Sequence, residues 1–279
     1  MRVEARPGFP ERGDVAIAWL GQAGFWIETG QHSVLIDPYL SDSLARKYAG
    51  KVHDHRRMMP VPIAPDALRR PYLVLITHAH TDHMDPDTLA PLVERFPDLP
   101  FVVPRAKMEV ARERIGQEAQ LIDVTAGDVI EPLAGLSITV MPAAHEAEER
   151  DLEGNHVFLG YGMAFDLPDS EVVRLYHSGD TIPFDALDDA LSSFKPDIAL
   201  LPVNGRDTER LAAGIPGNMT LEEAVLLCGK AGIPWMIPHH FGMFAFNTVD
   251  EQVIDVAVET IMSPRLVKPK IGEALHLVG

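Results

Sequence analysis

The sequence holds one cysteine, Cys228, in 279 residues. A lone thiol excludes an intramolecular disulfide and any site built from several thiolates, so a metal ion here must be held by His, Asp or Glu. Positive charge is also scarce, with 24 Lys and Arg against 41 Asp and Glu for a formal net charge of -17. That balance repels a polyphosphate backbone, so no nucleic-acid partner is expected. No uninterrupted apolar run is long enough to span a bilayer, and the charged, Pro/Gly-rich residues 1–14 lack the apolar stretch of a secretory leader. The expectation is a cytoplasmic protein with a small-molecule partner and no membrane association. Linker-like low-complexity segments are absent as well, and 46% hydrophobic content supports a large core. A single domain over 1–279 is expected, with 1–14 as an N-terminal arm.

What the chain does have is concentrated chemistry. Thr77-His78-Ala79-His80-Thr81-Asp82-His83-Met84-Asp85 packs three imidazoles and two carboxylates behind the apolar run Tyr72 to Ile76. Side chains alternate along a strand, so His78 and His80 leave its end on one side, and a turn swings Asp82 and His83 toward the same point. Pro86 to Phe96 then reads as a helix with Asp85 as N-cap and Pro86 in the first turn.

Other apolar runs end in the same way. Val15 to Leu20, Phe25 to Glu28 and Ser33 to Ile36 are short strands joined by glycine turns, the third ending at Asp37-Pro38. Asp37 can orient a ligand from behind or simply cap a turn. Residues 40–70 have no apolar period and carry His53, His55, Arg56 and Arg57, which makes a long substrate-side loop. Leu136 to Met141 runs into His145, Val172 to Tyr176 into His177 and Asp180, Ile198 to Val203 into Asn204 and Arg206, and Trp235 to Ile237 into His239 and His240. Helices are expected over Ala106 to Ile115, Leu187 to Phe194, Thr220 to Lys230 and Val249 to Met262, with a last strand over Ala274 to Val278.

His78, His80, Asp82, His83, His145, Asp180 and one of His239 or His240 thus all follow predicted strands. Seven such donors exceed what one tetrahedral ion takes, and two ions sharing a carboxylate fit best. With its His-x-His-x-Asp-His cluster, distant His, Asp and final His, the chain resembles the metallo-β-lactamase superfamily from about Val15 to the C-terminus. The runs Trp19 to Gly24, Leu175 to Asp180 and Ile237 to Phe241 are similar to the L-ascorbate-6-phosphate lactonase branch. Two departures stand against that branch: this chain is shorter, and its Pro202-Val203-Asn204-Gly205-Arg206 loop matches none of the branch's substrate residues.

The resemblance implies a four-layer αββα fold of class α/β, with two mostly antiparallel sheets flanked by helices. It implies that His78, His80 and His145 hold one metal, Asp82, His83 and His240 a second, and that Asp180 bridges them. His239 and His177 then orient or pack behind the ligands. Manganese or zinc is expected, iron is an alternative, and a homo-oligomer is plausible by resemblance. Two such ions make water a nucleophile near neutral pH, with Asp82 and Asp180 as the catalytic carboxylates. The implied reaction is opening of a lactone or similar ester of a small anionic, sugar-phosphate-like molecule. Arg206 with Asn204, or Arg56 in the 40–70 loop, is the expected clamp for the anion, since guanidinium binds such groups bidentately. The alternatives are a phosphodiesterase of the same fold and a dinuclear iron protein that senses or reduces oxygen.

Overall fold

The computed structural model describes residues 1–166 and 171–279. The first half of the chain contributes β1 (Arg2–Pro7), β2 (Val15–Gly21), β3 (Gly24–Thr29), β4 (Ser33–Ile36), α1 (Ser43–Lys47), β5 (Leu73–Leu75), α2 (Pro86–Arg95), β6 (Pro100–Pro104), α3 (Met108–Arg114), β7 (Gln120–Val124) and β8 (Val129–Leu133). The second half contributes β9 (Leu136–Pro142), β10 (Leu159–Asp166), β11 (Val172–His177), α4 (Asp185–Phe194), β12 (Ile198–Pro202), α5 (Thr208–Ala212), α6 (Leu221–Ala231), β13 (Trp235–His239), α7 (Glu251–Thr260), β14 (Arg265–Leu266) and β15 (Glu273–Val278).

Two sheets result, an eight-stranded one ordered β1-β15-β2-β3-β4-β5-β6-β7 and a seven-stranded one ordered β14-β13-β12-β11-β10-β9-β8. The period of two along the strands decides what each face meets. Ile17, Trp19, Phe25, Ile27, Val34, Ile36, Leu73 and Leu75 point toward the second sheet and join its inner residues in one core. Their neighbours Ala18, Leu20, Trp26, Leu35 and Val74 point the other way, under Leu89 and Leu92 of α2 and Ala111 of α3. On the far side α4, α6 and α7 cover the second sheet, where Leu187, Leu191, Ala224, Leu227 and Ile254 are buried. A sheet covered on both faces needs apolar residues on both, which is why these strands read as continuous hydrophobic runs. The αββα layering expected from the sequence is therefore present.

The pairing within each sheet is mixed: antiparallel pairs are the more numerous, while β4 through β7 and β11 through β14 run parallel. The parallel pairs arise where a helix or long loop returns the chain to the same edge. Residues 1–14 are not a free arm either: Arg2–Pro7 pairs antiparallel with β15 from Arg2↔Val278 to Pro7↔Glu273. It is an exposed edge strand with no apolar alternation to announce it. The 40–70 loop carries the short helix α1.

This topology positions the site. β9 runs antiparallel to β10 and β10 antiparallel to β11, so β9, β11, β12 and β13 all end at one edge. In the first sheet β4 and β5 are parallel and end together. The two edges are tied by Leu159 N–H to Thr77 O at 3.0 Å and by the Tyr161 hydroxyl to Ile76 O at 2.7 Å. Among the described residues no helix is long and apolar enough to cross a membrane.

Candidate metal centre

Every donor expected from the sequence reaches this shared edge. After β5 the chain turns tightly, with the N–H groups of His83 and Met84 returning to His80 O. That turn brings the rings of His78 and His80 to 4.6 Å, and His145, just past β9, stands 5.2 Å from His80 and 5.9 Å from His78. Asp180 follows β11 and meets three imidazoles: its carboxylate is 3.4 Å from His83 Nε2, 3.5 Å from His145 Nε2 and 3.2 Å from His240 Nε2. The donor atoms of Asp82, His83 and His240 all lie within 4.8 Å of one another. Gly179 makes the approach feasible. A Cβ there would sit 2.6 Å from Leu159 O and 2.8 Å from Thr77 Cβ, and its φ of +60° favours glycine.

The remaining ring nitrogens are held from behind. His83 Nδ1 lies 2.7 Å from Asp37 Oδ2, and Asp37 Oδ1 also accepts the Thr77 N–H at 2.8 Å. His145 Nδ1 donates to Gly217 O at 3.0 Å, and Glu146 steadies that loop by accepting the Gly217 N–H at 2.7 Å. His78 Nδ1 lies 3.0 Å from Thr77 Oγ1. These contacts direct Nε2 of each ring at the centre, where a ligand lone pair has to point. Gln22, Asp37, Glu146 and His240 border the site with φ between 42° and 65°. Non-glycine residues held in that region cost on the order of 1–3 kcal/mol each, so the surrounding structure imposes these positions.

A cation suits this donor set. Nε2 of His78, Nε2 of His83 and Oδ1 of Asp180 are buried with no hydrogen-bond partner, an arrangement native interiors avoid. Charge points the same way. Burial pushes the His78 imidazole well below its ordinary pKa and lowers that of His145 to about 4, so both carry free lone pairs. Burial also disfavours a charged His83, yet Asp180, Asp37 and Asp82 outweigh it and hold that imidazole well above its ordinary value. Asp180 answers in kind: despite burial, His240 and His83 keep its carboxyl well below the usual range. Three carboxylates in one pocket recruit a proton where a metal ion would serve better. Asp37, His78 and His83 also come within 4.8 Å of one another, but Asp37 is already occupied with His83 Nδ1 and Thr77.

The donors His80, Asp82, His145, Asp180 and His240 form the floor of a cavity of about 440 Å³. One wall is aromatic: Tyr48 stacks on His55 at 4.2 Å, and His55 packs on Phe246 at 4.6 Å. Lys47, Lys51 and Arg114 line the same cavity without a carboxylate partner among the described residues, Arg114 being anchored through Nη1 to Ala79 O and to Met84 O at 3.4 Å. These three cations, and Gln22, are the site residues that sequence reasoning passes over.

Other expected residues lie elsewhere. Arg206 does not line the cavity. Its guanidinium forms a bidentate pair with Glu223, both contacts 2.6 Å, and a further bond of 3.1 Å to Asn218 O. Its partner is not the adjacent Asp207, which caps α5 and pairs with Arg210. Asn204 is buried, donating to Asn247 Oδ1 at 2.7 Å, and only Asn247 reaches the cavity. Arg56 is exposed and paired with Asp54. An anion clamp therefore has no free guanidinium at Arg206. His177 ties Ala23 O to the Gly179 N–H, at 2.9 and 3.0 Å. His239 stacks on it at 5.0 Å inside the sandwich, away from the donor atoms, leaving His240 to face Asp82 and Asp180.

Residues 32–241 match the family described as the beta-lactamase superfamily domain. The chain belongs to the beta-lactamase superfamily. It is 26% identical over 269 residues to a UPF0173 metal-dependent hydrolase of Pyrobaculum arsenaticum, a match covering 94% of this chain and 99% of that one. Its metallo-β-lactamase fold is similar to that of an isothiocyanate hydrolase from Delia radicum gut bacteria, with a TM-score of 0.73 at 18% identity over 94% of this chain and 98% of that one. It is also similar to Igni18, a metallo hydrolase of Ignicoccus hospitalis, with a TM-score of 0.67 at 22% identity over 95% and 99% of the two chains.

Proposed function

We propose that this superfamily member is a metal-dependent hydrolase with two divalent cations, manganese or zinc, that opens a lactone or similar ester of a small anionic substrate. The observation that carries the reading is the convergence of seven donor side chains at one sheet edge, five of them on the floor of a cavity that Lys47, Lys51 and Arg114 also line. Hydrolase chemistry with metal is also what the Pyrobaculum relative's name states. His78, His80, His145 and Asp180 would hold one ion, and Asp82, His83, His240 and Asp180 the other. Such ions supply Lewis acidity and bring the ionisation of water toward neutral pH.

The chain's own groups do the rest. Lys47, Lys51 and Arg114 receive the phosphate or carboxylate and fix the substrate's direction. The wall of Tyr48, His55 and Phe246 takes its flat or apolar part and excludes water. Water adds to the ester carbonyl, the ring C–O bond breaks, and the departing alkoxide takes a proton to leave a hydroxy acid. Asp82 is placed to carry that proton, since its side chain is 17% exposed while Asp180 is 3% exposed and Asp37 fully buried. A fold shared with an isothiocyanate hydrolase does not choose the bond, so the anionic character of the substrate rests on the cavity and the lactone bond on the sequence resemblance.

The test is a turnover screen of metal-stripped protein with manganese, zinc or iron added back. The panel holds anionic lactones, neutral lactones and a chromogenic phosphodiester. Restored turnover on anionic lactones is the expected result. Turnover confined to the phosphodiester transfers the site to the phosphodiesterase reading, and bound iron with no ester hydrolysis to the dinuclear iron reading. Full lactonase activity without metal refutes the mechanism.

A further inference from the structure

Gln22 sits in the turn between β2 and β3, fully buried, yet its side chain enters the metal centre. Its Nε2 lies 2.8 Å from Asp82 Oδ2 and 3.0 Å from His240 Nε2, two donors that are themselves 3.7 Å apart. Its Oε1 is buried and has no hydrogen-bond partner. The backbone leaves the residue little freedom. Gln22 O accepts the His240 N–H at 3.0 Å and the Trp19 indole N–H at 2.9 Å, and its own φ is 51°. Next to it, a Cβ on Gly21 would stand 2.8 Å from Met59 Sδ.

The direction of the amide follows from its neighbours. Turned over, it would set Oε1 against the Asp82 carboxylate, two acceptors with no proton between them. With the NH₂ group inward, His240 Nε2 serves as its acceptor, the tautomer a metal ligand needs; the same nitrogen faces the Asp180 carboxylate at 3.2 Å, a contact that a proton or a cation has to relieve. An imidazole Nε2 has one lone pair, and an amide N–H and a cation cannot both use it.

We propose that Gln22 belongs to the second cation position and has two states there. Without a cation its NH₂ group bridges Asp82 and His240 and keeps them together. With a cation at that position both lone pairs would be engaged, the amide would be released to turn over, and Oε1 would be offered as a further oxygen donor. This satisfies the one atom of the side chain that otherwise lacks a partner. An amide oxygen is a hard donor, so the position favours manganese over ions that prefer nitrogen or sulfur. The inference rests on the two-cation reading above and concerns binding, not turnover.

Calorimetric titration of metal-stripped protein with Mn²⁺, and separately with Zn²⁺, tests it. The wild type is expected to bind two ions in two steps. In Gln22→Ala the second step should weaken at least about tenfold, in the range found for residues that support metal ligands, with the first step unchanged. Gln22→Glu, which offers an oxygen at the same reach, should restore the second step. Gln22→Met, of similar volume, replaces the alanine variant if truncation unfolds the turn. An unchanged or tighter second step in the alanine or methionine variant overturns the proposal and leaves Gln22 a mere competitor; so does failure of glutamate to restore it. A wild type that binds fewer than two ions overturns the two-cation reading and this role with it. Two ions with the expected variant pattern but no hydrolysis of any ester uphold Gln22 and overturn only the hydrolase reading.

Discussion

Asp180 is the carboxylate that both halves of the centre share, within 3.5 Å of Nε2 on His83, His145 and His240. Asp180→Asn keeps the shape and removes the charge. Bound metal should fall from two ions to one or none by elemental analysis, and turnover should fall on the order of a thousandfold, as when a preorganised charge partner is lost from a dry site. Asp37→Asn acts one step further out. The amide has to oppose the Thr77 N–H or surrender its acceptor for His83, so metal affinity should fall about 10- to 100-fold by chelator competition while the chain stays folded. The donors are legible in the sequence because each group of imidazoles or carboxylates follows an apolar strand, and here four such strand ends agree. Lys47, Lys51 and Arg114 are not legible. Each is an ordinary surface cation, and only the return of α1 and α3 to one cavity gives them a common direction. Gln22 is hidden for another reason, since an amide between glycines reads as a turn.

At the scale of elements, Arg206 is bound into the start of α6. Thr220 and Glu223 form a complete capping box there, and Arg206 closes on the same Glu223. Thr220→Ala should cost about 1 kcal/mol of stability, read by denaturant unfolding, with the catalytic constants unmoved. Arg206→Ala should behave alike, because its pair with Glu223 is a partly exposed one; a KM that rises only for anionic substrates would return the clamp to Arg206. The same assay should show Lys47→Ala and Arg114→Ala raising KM for an anionic lactone several-fold more than for a neutral one. Central strands such as β2, β5 and β12 are plain in the sequence because they are buried on both faces. The pieces that pattern reading passes over, namely β1, β8, β14, α1 and α5, are short or largely exposed, and neighbours rather than their own periodicity define them.

For the whole molecule, the decisive fact is that the donors come from both sheets. His78, His80, Asp82 and His83 leave the first sheet, whereas His145, Asp180 and His240 leave the second, so no ion can be held by all of them in an unfolded chain. Cation binding is therefore coupled to keeping the sandwich closed. An ion that binds only the folded state adds RT ln(1 + [L]/Kd), about 2.7 kcal/mol at a free concentration of one hundred times Kd. For a domain of this size each kcal/mol moves the melting temperature by about 2 °C, so one filled position should raise it by about 5 °C. Metal-stripped protein should melt lower, recover on addition of Mn²⁺ or Zn²⁺ in proportion to the logarithm of free ion, and fall again with chelator. Asp180→Asn should flatten that response and also lower the melting of the stripped protein, because His83 and His240 stabilise Asp180 as a carboxylate and its loss leaves His83 without the partner that raises its pKa. A wild-type melting curve indifferent to both ions would mean that the seven donors do not form a cation site, whatever their distances.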